Sequence, residues 1–343
     1  IGACDWSSDV CSSDLPERER TTAATALTMT VDRDEAPSVS VVITTYDRPA
    51  YLSGAVETVA AQTYNDIELI IVDDASPTPA SEVLSEDDYQ FPIFRILRHE
   101  ENSGPNAARN TGIKAANGEY VAFLDDDDRW IPEKLERQVE RFESGDENLG
   151  VVSTGWKWVK DGSVEDSWVP PNFEGDITKA LLCENVVGTQ SAVMVRADVA
   201  KRHPLDARFP RWADQEWYVS LSTECEFDAI REPLVVHEFE THNRITDDSN
   251  KLFEGHRLFL EKYLPLADEY GYLTKRKMRG WADYRVGKSL LRMGQYGMAR
   301  RFLVSAVQWY PLEPKFFVYA ASSLGGRVTH SVAQSLNKFA TQV

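Results

Sequence analysis

Cysteine is scarce in this 343-residue chain: there are four, and Cys4 and Cys11 fall in an N-terminal stretch set apart below. Cys183 and Cys225 are too few for a disulfide framework or a structural zinc site, and they fit a reducing compartment. Long apolar runs are also missing. No stretch approaches the roughly 18 apolar residues that a membrane-spanning helix needs, and no basic-then-apolar leader pattern opens the chain. Basic residues are outnumbered, 37 Lys and Arg against 55 Asp and Glu, for a net charge of −18. That balance argues against nucleic-acid binding, which needs a basic face. It also matches the acid-rich, halophile-like surfaces of proteins kept soluble in high salt.

What is present suffices for a real core. Hydrophobic residues make up 42% and charged residues 27%, ordinary values for a folded soluble chain, and the length suits one large or two modest domains. Residues 5–15, "DWSSDVCSSDL", back-translate into a common sequencing-adapter oligonucleotide. The stretch 1–28 is therefore read as an artefactual or disordered leader, with Met29 as the start. Beyond it the charge is uneven. Residues 29–274 carry 23 Lys and Arg against 48 Asp and Glu, while 275–343 carry 12 against 2. The asymmetry predicts two regions with different tasks.

From Val39 to Phe142, strand and helix signals alternate. "VSVVI", "IELIIV" (67–72), "IFRIL" (93–97) and "YVAFL" (120–124) are short apolar runs, and Pro49, Pro105 and Pro132 open helical stretches between and after them. Runs apolar on both faces belong to parallel sheets covered by helices, so the pattern predicts an α/β fold with a βαβ array. Further on, 191–196 and 233–239 are predicted strands and 212–222 a helix. From about 250 the pattern is helical only. Gly287, Gly294, Tyr296, Ala299, Ala306 and Pro311 fall at tetratricopeptide spacing over 280–313. One such unit cannot bury its own face and must pack on something.

The polar residues collect at strand ends, where open α/β sheets bind ligands. Strand one ends in Thr44, Thr45, Tyr46 and Asp47. Strand two ends in Asp73 and Asp74, and strand four in Asp125 to Asp128. Four adjacent carboxylates beside a low-dielectric core repel one another unless a cation or a set of donors neutralises them. Gly104, Arg109 and Asn110 lie at the start of a helix, a setting that suits an anion such as a diphosphate. Clustered carboxylates suit a hard divalent cation, Mg²⁺ or Mn²⁺, its shell completed by substrate phosphate. The residues alone describe a metal-dependent nucleotide-diphosphate site.

"SVVITTYDRP", "IIVDDAS", "NSGPNAARNTGI" and "GEYVAFLDDDDRW", in this order and spacing, resemble the family 2 glycosyltransferases of the GT-A fold. With "WADQEWYVSL" the likeness runs from 38 to about 240. It implies a Rossmann-like, mostly parallel sheet and transfer of a sugar from a nucleotide donor with inversion at the anomeric carbon. By the same resemblance, Thr44 and Tyr46 match the first-strand turn that packs against the base. Asp74, with Asp73 beside it, matches the carboxylate that accepts from the base N–H. Asp125, Asp126 and Asp127 match the DxD element, with Asp127 on the metal and the earlier members, Asp125 included, on ribose or metal-bound water. Asp214 matches the catalytic base, although the residue before it is Ala213 where the family pattern has Glu. The metal set is Asp127 and Asp125; His237 and His242 are left out because a lone histidine is usually structural.

The expected division is a leader (1–28), a GT-A domain (29–245) and a helical region (246–343). UDP is the expected donor nucleotide, with GDP and dTDP open, and the acceptor is a glycan or polyprenyl-linked glycan in surface-polysaccharide or glycoprotein synthesis. The expected location is the cytoplasm. Residues 275–301, where nine Lys and Arg meet one acid, Asp283, are expected to pack on the acidic domain, with docking at the inner membrane face as a secondary use of their exposed basic rim. Several readings are plainer. Asp128 is expected to cap the helix that opens at Pro132, Trp212 and Trp217 to be core, and Asp247 and Asp248 to be loop acids. Arg109 pairing with an acid is weighed equally with a phosphate role. A phosphoacceptor signalling domain is disfavoured because no lysine-bearing strand follows at suitable spacing. A catalytically silent nucleotide-sugar-binding module is the main alternative.

Overall fold

The computed structural model describes residues 38–85, 89–160, 162–238 and 248–324. The leader, His242 and Asp247 lie outside these. The apolar runs form the centre of a mixed sheet. Strand β1 (Val39–Thr45), β2 (Ile67–Asp73), β3 (Ile93–Arg98) and β4 (Tyr120–Asp125) are parallel, in the order β3-β2-β1-β4. Helices α1 (Pro49–Ala60), α2 (Ala80–Val83) and α3 (Pro105–Ala115) connect them. The sheet continues through β9 (Val193–Arg196), β6 (Leu149–Lys160) and β10 (Glu226–Glu238) to β5 (Asp128–Trp130). Strand β9 runs antiparallel to both β4 and β6, and β5 antiparallel to β10, so the outer half is mixed. A hairpin with β7 (Ser163–Trp168), which the sequence reading did not anticipate, and a short β8 (Glu174–Gly175) complete the ten strands of the described residues.

Alternation along the strands builds two cores. Val42, Ile70, Val72, Val121 and Phe123 point to one face, while Val41, Ile43, Leu69, Ile71 and Leu124 point to the other, which α1 and α4 (Lys134–Glu143) cover. On the first face α3 lies so close that a Cβ on Gly112 would sit 2.3 Å from Val42 Cγ1, which is why glycine stands there. The same core takes in α5 (Thr178–Leu181), α6 (Ala197–Arg202) and α7 (Ala213–Leu221).

The C-terminal helices are α8 (Ser249–Glu269), α9 (Tyr272–Arg292), α10 (Tyr296–Trp309) and α11 (Pro314–Ser322). Asp248 is the N-cap of α8, accepting from Asn250 N at 2.8 Å and Lys251 N at 3.4 Å. Leu258, Phe259 and Tyr263 of α8 and Met278 of α9 belong to the core of the first sheet face. Trp281, Leu290, Leu303 and Phe316 form a separate helical core, in which a Cβ on Gly287 would sit 2.5 Å from Leu303 Cγ. The basic side chains of α9 are largely engaged within the chain. Arg276 donates to Trp309 O and Gln308 O, each at 2.7 Å, Arg279 lies 4.3 Å over the Trp309 ring, and Lys275 pairs with Asp268. Among the described residues no helix is long and apolar enough to cross a membrane.

Candidate active site

Parallel register brings the polar strand ends together. Thr44 stands beside Asp125 and Val72, and Thr45 beside Asp73. The four aspartates coexist because each meets a counter-group, one of them shared. Asp125 pairs with Arg109 Nη2 at 2.5 Å. Asp126 is buried and accepts from Thr45 Oγ1 at 2.7 Å and Arg48 Nη1 at 3.0 Å, and the same Nη1 reaches Asp127 Oδ2 at 2.9 Å. Asp128 accepts from Ser191 Oγ at 2.6 Å and lies 2.5 Å from His237 Nδ1. Burial pushes the Asp126 carboxyl up to about 6, against the pull of Thr45 and Arg48. Burial raises Asp128 as well; burial alone would lower His237, but the Asp128 carboxylate and the acids near it raise it.

The helix-cap reading of Asp128 is therefore corrected. This residue lies in β5, paired across to His237 of β10, and its carboxylate is buried against Ser191 and His237 rather than spent on a helix N-terminus. Sequence reading also missed Arg48, Ser191 and the pairing of His237. No periodic signal marks them, because their partners are 63 to 109 residues away in the chain.

Carboxylate oxygens of Asp125, Asp127 and Asp128 lie within 4.8 Å of one another. Asp125 and Asp127 are reachable, with side chains 34% and 32% exposed. Three hard oxygen donors at this separation fit Mg²⁺ or Mn²⁺, with room for phosphate and water ligands.

Arg109 is the centre of a second constellation. Burial would lower its pKa, but Asp125 and Asp214 outweigh that and raise it. Asp214, in the first turn of α7, is pushed up to about 6 by burial, with Arg109 opposing and Asp125 adding to the rise. One helical turn on, the Tyr218 hydroxyl is buried without a hydrogen-bond partner, and burial and Asp214 raise its pKa well above the usual phenol value. The chain thus joins a reachable carboxylate pair, an arginine and a poised carboxylic acid. Such a set can bind a cation and an anion and can accept a proton.

The acids after β2 differ from each other. Asp73 is fully buried and its carboxylate accepts from Ser76 N at 2.7 Å, Ala80 N at 3.0 Å and the Arg98 guanidinium. Burial alone would raise its pKa, but these bonds hold it below the ordinary value. Asp73 organises its loop and has little left to offer a ligand. On Asp74, Oδ1 takes Ser103 N at 2.9 Å and His99 Nδ1 at 2.7 Å, and Oδ2 takes Gly104 N at 2.7 Å. Gly104, the N-cap of α3, sits at φ 87°, where a side chain is strained. A carboxylate has about four acceptor positions, so one remains on Oδ2. Tyr46 is 47% exposed at the edge of this loop. Trp217 is core, its indole N–H donating to His203 O at 2.7 Å, and Trp212 is half-buried.

Comparison with known proteins agrees with the fold and with the motifs of its first half. Residues 40–203 match the family model described as Glycosyl transferase family 2. An uncharacterized glycosyltransferase of Nostoc sp. is 36% identical over 149 residues, 42% of this chain; the match spans less than half of that relative, 45%. Among solved structures, S. aureus TarS 1–349 in complex with UDP-GlcNAc has a TM-score of 0.53 at 15% identity, covering 83% of this chain and 91% of TarS 1–349. Mannosyltransferase PcManGT from Pyrobaculum calidifontis, in complex with GDP-Man and Mn²⁺, gives 0.53 at 16% identity, covering 87% and 84%. Residues 40–203 thus carry a glycosyl transferase family 2 domain, the segment bearing Asp214 lies beyond that span, and the sheet has the GT-A fold.

Proposed function

We propose that this chain transfers a sugar from a nucleotide-diphosphate sugar to an acceptor hydroxyl, with inversion, and that 29–245 is the catalytic domain supported by the helices of 246–343. The observation that carries the reading is that Arg109 pairs with Asp125 and that both act electrostatically on Asp214, an acid whose pKa burial raises. The family match and the nucleotide sugars bound by TarS and PcManGT support it.

In this reading Tyr46 packs against the base and Asp74 accepts its N–H, while Thr44, Asp73 and Asp126 shape the loop and the ribose side. Asp127 and Asp125 hold Mg²⁺ or Mn²⁺, which when bound supplies Lewis-acid neutralisation of the diphosphate. Arg109 stabilises the same charge from the α3 side. Asp214 accepts the proton of the acceptor hydroxyl as the new bond forms to the anomeric carbon and the nucleoside diphosphate leaves from the opposite face. Alignment of donor and acceptor lowers much of the barrier.

The acceptor is a glycan or a lipid-linked glycan, met in the cytoplasm or at the inner membrane face. Peripheral membrane contact falls to the outer face of α10 and α11, where Arg300, Arg301 and Lys315 are exposed beside Val304, Phe317 and Val318. Flotation of the full chain on anionic but not neutral vesicles is the expected result.

The test of function is a screen of UDP-, GDP- and dTDP-sugars with Mn²⁺, read as nucleoside diphosphate release. Turnover with at least one donor is expected; tight nucleotide-sugar binding without turnover would identify a silent binding module instead. Asp74→Asn should lower UDP affinity about tenfold, roughly 1.4 kcal/mol, because the amide presents a donor to the base N–H. Loss of the charge-assisted cap on α3 should also lower the denaturation midpoint. Unchanged affinity by calorimetry would remove Asp74 from the base site.

A further inference from the structure

Asp214 stands on the first turn of α7, and the residues around it are gripped by the C-terminal helices. Trp212 precedes that turn in the left-handed region, at φ 64° and ψ 21°. A bulky residue keeps this conformation only where its surroundings hold it. The Arg285 guanidinium of α9 covers the Trp212 indole at 4.0 Å, and His256 and Phe259 of α8 meet it edge-on, each with centroids 6.0 Å away. The same guanidinium donates to Gln215 Oε1. Next in sequence, Glu216 Oε1 takes Lys262 Nζ at 2.6 Å and Tyr263 OH at 2.7 Å, both from α8. Helix α8 also approaches Arg211 so closely that a Cβ on Gly255 would lie 2.8 Å from Arg211 O.

Arg285 makes no ion pair among the described residues, and its Nε and Nη2 are buried without a hydrogen-bond partner. Burial pulls its pKa down to about 9. A cation left in that state is unfavourable for stability, and an apolar side chain of similar volume would fill the space without the desolvation cost. What Arg285 does accomplish is to hold Trp212 and Gln215, the residues two before and one after Asp214.

We propose that Arg285 is a positioning residue for the transfer reaction: from α9 it clamps the Trp212 turn and thereby sets the place of the Asp214 carboxylate. This rests on the reading of Asp214 as the base. The helical region then completes the active site instead of being an appended module, and its cation acts through Trp212 without touching substrate.

The test uses the full chain with Arg285→Met, Arg285→Lys, Asp214→Asn and the Arg285→Met/Asp214→Asn double variant. Hydrogen exchange is read at the amides of Glu216 to Val219, the first of which bonds to Trp212 O at 2.8 Å. In Arg285→Met these amides should exchange at least about tenfold faster, with β1 and β4 unchanged. UDP affinity should stay within about twofold, and with a donor from the screen the turnover number should fall at least about tenfold at unchanged donor KM. Arg285→Lys, which keeps a cation over the indole, should recover both to within about threefold. In the Asp214→Asn background, Arg285→Met should cause no further loss of rate. Unchanged exchange at 216–219 overturns the proposal whether or not a donor has been found, as does a rate loss that is additive with Asp214→Asn. Normal turnover by Asp214→Asn alone would instead overturn the base assignment.

Discussion

Asp127→Ala is expected to reduce turnover about a thousandfold or more and to abolish its response to Mn²⁺. Asp127 is one of the two reachable members of the carboxylate group, and it pairs with Arg48, which Asp126 shares. Removing it takes away a ligand that no neighbour replaces. Asp128 is held by Ser191 and His237, and Asp126 is buried against Thr45 and Arg48. Charge neutralisation of a leaving diphosphate is a matter of several kcal/mol, which sets the thousandfold scale. The fold should survive. The lost pair is partly exposed, and such pairs contribute little; one of four adjacent negative charges also disappears. The measurement is nucleoside diphosphate release across a Mn²⁺ titration, beside a thermal melt of each variant. Wild-type turnover that persists in excess chelator, or an Asp127→Ala enzyme of normal rate, would exclude the metal reading.

Asp214→Asn is expected to lower the turnover number at least about a hundredfold while leaving donor affinity within about threefold, because an amide cannot accept the acceptor proton. The pH profile follows from the same residue. Its carboxyl is pushed up to about 6, and the base must be ionised. The rate should therefore be flat above pH 7 and fall about tenfold per unit below 6. An unperturbed carboxylate would begin to fail only near pH 4. Asp126 is also raised to about 6. The profile of Asp126→Asn separates the two: if Asp214 is the base, the limb near 6 remains in that variant. Collapse of donor binding in Asp214→Asn with a normal rate at saturation would make Asp214 a binding residue and move the chemistry to another acid.

Local pattern alone determined much of this protein. Strands β1, β2 and β4 are legible because a short run apolar on both faces fits the middle of a covered sheet, and prolines mark the starts of α1 and α3. The same runs place acids and hydroxyls at strand ends, so the motifs of Thr44 to Asp47, Asp73 to Asp74 and Asp125 to Asp128 could be named before any coordinate. What no window of sequence contains is which acid meets which cation. The 29–274 region carries 48 acids, any of which is a candidate partner for a given arginine. Asp73 and Asp74 are neighbours in sequence, yet one is saturated by its own loop and Arg98, and the other keeps an acceptor position. Asp128 reads as a helix cap locally, but antiparallel pairing of β5 with β10 puts it on His237, 109 residues away. The pattern from about 250 shows that α8 and α9 are helices. Only packing decides that their buried faces meet the sheet core and the turn bearing Asp214, because burial depends on what topology places opposite a stripe, and charge pairing on distances that sequence separation does not encode.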